Sequence, residues 1–179
     1  LSEATLDGGK GKKKPPRVQL LGSGAILREV MAAGEMLADE FGVGADVWSV
    51  PSFTELPRDG LAADRASRLN PGAEPRRSWI EAGLGEAEAP VVAATDYMCP
   101  FADQIRRWVP GRYHTLGTDG FGRSDTRERL RAFFEVDRRH VVVAALHALA
   151  GEGAVAKKRV AEAIEKYDID PDAPEPWTV

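Results

Sequence analysis

Cysteine and asparagine are nearly missing from this sequence: Cys99 and Asn70 are each alone of their kind among 179 residues. A single thiol excludes an internal disulfide and any site built from several thiolates, and it suits a reducing cytosol. Histidine is scarce too. His140 and His147 stand seven apart, outside the i, i+4 spacing of a zinc helix, and His114 falls in a strand pattern, so a metal site is not expected. There is no run of ~18 apolar residues to cross a bilayer. The start, Leu1-Ser2-Glu3-Ala4-Thr5, lacks the basic-then-apolar layout of a secretory signal. A net charge of −4 argues against the basic face of a general nucleic-acid binder. Trp48, Trp79, Trp108 and Trp177 do not interleave with basic residues, which points to core or interface packing. What is present is a 43% apolar chain of one-domain length, able to build a core without staples. It reads as a soluble, cytoplasmic domain with neither nucleic acid nor membrane as partner.

Residues 1–17 hold glycines, Pro15, Pro16, Arg17 and the lysines 10 and 12–14, with almost nothing apolar. Such a stretch buries too little to offset its chain entropy, so a flexible basic linker is expected, with further polypeptide before it. Residues 18–179 form the domain. Val18–Leu21 reads as a buried strand turning through Gly22-Ser23-Gly24 into a helix, Ala25–Phe41. Spacings of three and four put Leu27, Val30, Met31, Gly34, Leu37, Ala38 and Phe41 on its inner face. Glu29, Glu35, Asp39 and Glu40 fall on the outer face, and Gly42 suits a left-handed stop. Further strands are expected over Asp46–Val50, Val91–Thr95 and Tyr113–Leu116. Weaker helices fall near Leu61–Leu69 and Ser78–Leu84, and one carries Phe101, Ile105 and Trp108 inward. Asp125 is read as the first residue of a capping box, its helix running to about Glu135. Asp137 caps a helix to Ala150, and a last helix, Ala154–Tyr167, packs toward the sheet edge and buries Ala156, Val160, Ile164 and Tyr167. Alternating strands and helices give an α/β fold: three α/β/α layers around a mostly parallel sheet, with its functional edge at the strands' carboxyl ends.

The short motifs at that edge are incomplete. Gly22-Ser23-Gly24-Ala25-Ile26-Leu27 has leucine where a dinucleotide fingerprint needs a small third residue, so a tight turn is the simpler reading. Gly122-Arg123-Ser124-Asp125-Thr126 lacks the second glycine of a nucleophile elbow, and Ser124 reads as a cap or turn residue. Asp96 and Asp119 end strands and are equally suited to pairing over a proton or metal or to turn hydrogen bonds. No catalytic, cofactor-binding or metal residue is assigned. The loop Thr118–Ser124 displays Phe121 and Arg123, types enriched in interfaces, and Asp119, Phe121, Arg123 and Ser124 are taken as a candidate interface loop. The alternative is that Phe121 tucks under its own loop and Arg123 pairs with a carboxylate.

Three longer stretches, Val18–Leu56, Thr95–Pro110 and Leu116–Asp137, with the Val141–Leu146 helix, closely resemble the carboxy-terminal domain of the homodimeric bacterial pyruvate dehydrogenases. Phe121-Gly122-Arg123-Ser124 is similar to the F-G-x-S loop of the related transketolases. The resemblance implies a transketolase carboxy-terminal-domain-like fold within a three-domain enzyme. That enzyme uses thiamine diphosphate and Mg²⁺ to decarboxylate pyruvate and acetylate lipoyl groups. It also implies as partners the remaining domains, a second protomer and the dihydrolipoyl acyltransferase component of the complex. The family's Gly-Asp-Gly and Asn-Asn segments are absent here, so this chain is expected to hold no cofactor and to act structurally. A nucleotide- or acyl-group-binding module using the strand-end cleft is the competing reading.

Overall fold

The computed structural model describes residues 2–4, 15–85 and 89–179. Among these residues five strands form one sheet in the order β1-β3-β2-β4-β5: β1 (Ser2–Ala4), β2 (Arg17–Gly22), β3 (Gly44–Ser49), β4 (Val91–Ala94) and β5 (Tyr113–Leu116). Strands β2 to β5 are mutually parallel, and β1 runs antiparallel on the edge of β3. Among the described residues the helices are α1 (Leu27–Phe41), α2 (Glu55–Leu69), α3 (Trp79–Leu84), α4 (Cys99–Asp103), α5 (Arg127–Phe133), α6 (Arg138–Gly151) and α7 (Lys158–Lys166).

The alternation of side chains along each strand divides the core in two. Val18, Leu20, Ala45, Val47, Val92 and Ala94 face one layer, where Val30 and Leu37 of α1 and Val142 and Leu146 of α6 meet them. Leu21, Val91, Ala93 and Tyr113 face the other, against Ile80, Leu84, Ala102, Ile105 and Trp108. Both sheet faces are covered, which is why the strands read as continuous apolar runs. On the second face α2 admits Trp108 only because residue 60 is glycine: a Cβ there would lie 2.5 Å from the indole.

The structure corrects several expectations. Ser2–Ala4 is an edge strand and Arg17 opens β2, so the linker assigned to residues 1–17 is wrong at these positions. Pairing to an open sheet edge uses backbone groups and needs no apolar side chains, and Arg17 gains Asp46 of β3 as an ion-pair partner. Residues 1 and 5–14 lie outside the described residues. On α1 the positions of Glu29 and Met31 are reversed: Glu29 is 5% exposed and Met31 44%. Periodicity counts a carboxylate as polar and cannot see that Arg131 and Arg138 arrive from across the chain to cover it. The helix expected around Phe101–Trp108 is a short α4 followed by a 3-10 turn at Arg106–Trp108, with Phe101 half-exposed. The last helix starts at Lys158, leaves Ala156 exposed and packs on α6 instead of the sheet edge. Its end meets α1, where the Tyr167 hydroxyl donates to Glu40 at 2.6 Å.

Candidate functional site at the carboxyl edge of the sheet

From β2 the chain passes to β3 on one side, and from β3 it returns to β4 on the other side of β2. The connections therefore diverge between β2 and β4, the point at which open parallel sheets place their ligands. A cleft of about 620 Å³ opens there, between Ala25 and Ile26 after β2, Asp96 after β4, the loop after β5, and α5.

The floor of the cleft is drawn tight. The Ser23 and Thr95 hydroxyls, both buried, share a hydrogen bond of 3.0 Å that ties the two strand ends together. Gly22 has Leu27 Cα 2.8 Å from where its Cβ would stand, so the strand-to-helix turn requires glycine. Gly24 has φ +54° and faces the Asp96 carboxylate, whose Oδ1 lies 3.2 Å from the position of an added Cβ.

The loop after β5 is fastened at two points. Thr118 donates its N–H to Tyr97 O at 2.9 Å and its hydroxyl to Asp96 O at 2.8 Å. Asp119 turns inward and accepts the Cys99 N–H at 3.2 Å, satisfying the start of α4. Of the two carboxylates weighed for a pair, Asp119 thus serves a backbone bond and Asp96 lines the cleft. Further on, Gly120 (φ +115°) lies under the carboxy-terminal tail, with Pro176 O 2.6 Å from where a Cβ would be. Beyond it Phe121 is 80% exposed and does not tuck under its loop. Arg123 lies over the Phe133 ring at 4.2 Å and pairs with no carboxylate among the described residues. Ser124 is exposed and does not cap α5. Asp125 does not cap it either: Thr126 is the N-cap and accepts from Arg129 N at 3.4 Å, while Asp125 accepts the Thr126 N–H one residue too early. Threonine wins because its short side chain follows an extended backbone, φ −63° and ψ 150°, straight into the first turn. Of the four candidate residues, Phe121, Arg123 and Ser124 are exposed and Asp119 is half-buried in its bond to the Cys99 N–H.

Charge is concentrated behind α5. Arg131 reaches Glu29 at 2.8 Å and Ala25 O at 3.4 Å, and Arg138 reaches Glu29 at 2.8 Å. The hydrogen bond from Arg138 holds the Glu29 carboxyl below its ordinary range, against the burial that would raise it. Burial would likewise raise Asp137, but bonds from His140 and Arg139 bring it down to about 2. Cys99 moves the other way. Burial first, then the neighbouring Asp119 carboxylate, pushes its thiol up to about 12, which leaves it a poor nucleophile.

Sequence reasoning missed two groupings. The Tyr97 and Phe101 rings lie 5.3 Å apart, tilted by 45°, and like Met98, Phe121 and Trp177 they are exposed apolar side chains on segments at this edge. Tyr97 falls between a strand and a proline, and Trp177 sits in a proline-rich tail, so neither belongs to a periodic pattern. His114 and His147 also meet, edge to face at 5.8 Å, with burial and then His147 lowering the pKa of His114. Among the described residues no three His, Cys, Asp or Glu side chains come together to hold a metal ion. The single asparagine, Asn70, bonds Ala66 O at the end of α2.

The family model described as the transketolase-like TK C-terminal domain matches residues 9–137. The pyruvate dehydrogenase E1 component of Pseudomonas aeruginosa is 60% identical over 166 residues, which are 92% of this chain and 19% of that protein. The pyruvate dehydrogenase E1 component of Escherichia coli K12 is 54% identical over 173 residues, 96% of this chain and 19% of that protein. The chain thus spans about a fifth of the length of these curated relatives. A solved split-gene transketolase, an inactive β4 tetramer, superposes with a TM-score of 0.52 at 19% identity, covering 77% of this chain and 41% of that one. That likeness shows the fold.

Proposed function

The chain belongs to the transketolase-like C-terminal domain family, and from that premise we propose that it is the carboxy-terminal domain of a pyruvate dehydrogenase. In this reading the parent enzyme decarboxylates pyruvate with thiamine diphosphate and Mg²⁺ and acetylates lipoyl groups of the dihydrolipoyl acyltransferase component. The chemistry belongs to polypeptide outside this chain, and the domain's part is to brace the parent's other domains and its dimer. The observation that carries this role is the exposure of five apolar side chains, Tyr97, Met98, Phe101, Phe121 and Trp177, on segments at the carboxyl edge. Aromatic and methionine side chains are enriched in interfaces and costly to leave in water. Here Thr118 and Asp119 tie the base of the loop that carries Phe121 to the segment of Tyr97 and Met98, so these two segments are joined before any partner arrives. Such prior ordering lowers the entropy lost on docking.

The test uses the full-length parent enzyme carrying Phe121→Ala and Arg123→Ala together. Sedimentation should show weaker dimers and pyruvate turnover should fall, while the 179-residue chain with the same changes melts as before. An intact, fully active dimer would end the bracing role.

A further inference from the structure

We propose that the cleft between the ends of β2 and β4 binds a small organic phosphate, with Arg123 and Arg127 holding its phosphoryl oxygens and Asp96 accepting its hydroxyl groups. A ligand site goes beyond the bracing role above and does not depend on it. The cleft lies where the sheet's connections diverge. Its volume, about 620 Å³, falls within the range of roughly 300–1,000 Å³ usual for small-molecule sites.

Charge partners are unevenly distributed around the cleft. Arg129 faces Asp125 and Arg131 is locked to Glu29, but among the described residues neither Arg123 nor Arg127 has a carboxylate within ion-pair distance. Both line the cleft. They stand four residues apart, and Arg123 is held by the Phe133 ring at 4.2 Å, which restricts it without neutralising it. Guanidinium forks match an oxyanion with several oxygens. Across the opening, the Asp96 side chain takes part in no hydrogen bond among the described residues, although its backbone carbonyl is engaged by Thr118. A carboxylate opposite two guanidinia selects a bipolar ligand: an anionic head with a hydroxylated body. Ile26, Leu130 and Phe134 supply an apolar wall for that body, and Gly24 keeps the chain beside Asp96 from filling the space.

Calorimetric titration of the 179-residue chain at low salt, with pyrophosphate and separately with ribose 5-phosphate, tests this. Saturable one-to-one binding of both is expected. The Arg123→Gln, Arg127→Gln pair should weaken both at least tenfold, and the Lys, Lys pair at the same positions should fall between, keeping charge but losing the fork. Asp96→Asn should weaken ribose 5-phosphate severalfold and spare pyrophosphate. Arg65→Gln with Arg68→Gln, on α2 in the opposite layer, should change nothing. No saturable binding overturns the proposal, and so does an equal loss from the α2 pair, which would mean diffuse charge attraction. Asp96→Asn acting alike on both ligands overturns the organic part and leaves an inorganic anion site. If the Gln pair does not fold, the Lys pair decides: affinity equal to the unsubstituted chain overturns the proposal. None of these readings involves turnover or dimerisation, so failure here leaves the bracing role standing.

Discussion

Glu29 is a charged side chain in a layer of valines and leucines, and its two guanidinium partners decide whether that position is tolerable. Removing the carboxylate would leave Arg131, largely buried, with only the Ala25 carbonyl as a partner and no charge to balance its own. Glu29→Ala is therefore expected to cost about 3 kcal/mol in denaturant titration, the usual scale for breaking a buried pair from one side. Gly60→Ala reverses the normal helix preference. Alanine should help an exposed helix by roughly 0.5–1 kcal/mol, but here its methyl group would stand 2.5 Å from the Trp108 indole. Overpacking of that kind costs about 1–3 kcal/mol, so a net loss of stability is expected, and a gain would show that Trp108 can swing away. Neither residue could be interpreted from the sequence alone. Glu29 needs partners about a hundred positions away, and Gly60 sits in a helix that gives no sign of the ring above it.

Helix starts make predictions of their own. Thr126→Ala should destabilise α5 by about 1 kcal/mol and Asp125→Ala by less, since only threonine accepts a bond from within the first turn. At α6, Asp137 accepts from Arg139 N and His140 N and also bonds the His140 ring. Its folded pKa of about 2 lies below the value near 4 of an unfolded aspartate. Stability from this group is therefore complete above pH ~4 and is lost as pH falls from ~4 toward ~2, to the extent of about 2 kcal/mol. Acid unfolding of Asp137→Asn should lack that component. The Asp137 cap was legible because an acid directly precedes a long helical pattern. At α5 two adjacent residues, Asp125 and Thr126, compete for the role, and only backbone angles choose between them.

For the molecule as a whole, the layered fold and the parallel sense of the main strands follow from alternating apolar runs and helical spacings, while the inner face of α1, the extent of α4 and the cap of α5 do not. The sequence showed less of the carboxyl edge. Asp96 and the β5 loop were placed there by strand ends alone. The tail over Gly120 and the exposed aromatic side chains lie on segments without periodicity. The edge strand β1 escaped because its pairing is made by backbone atoms, which composition does not record.

Cys99 has a consequence for experiment. With its thiol at about 12, the thiolate fraction at pH 8 is more than a thousandfold below that of an ordinary cysteine with a pKa of about 8.5. Maleimide should therefore react with the native chain extremely slowly and with a Ser124→Cys variant in minutes. The protein then comes ready for site-directed probes: one fluorophore at position 124 would report approach of a partner domain or entry of a ligand, with no need to remove the native cysteine. Rapid modification of the unsubstituted chain, followed by mass spectrometry, would instead mean that the Asp119 contact opens often enough to expose the sulfur.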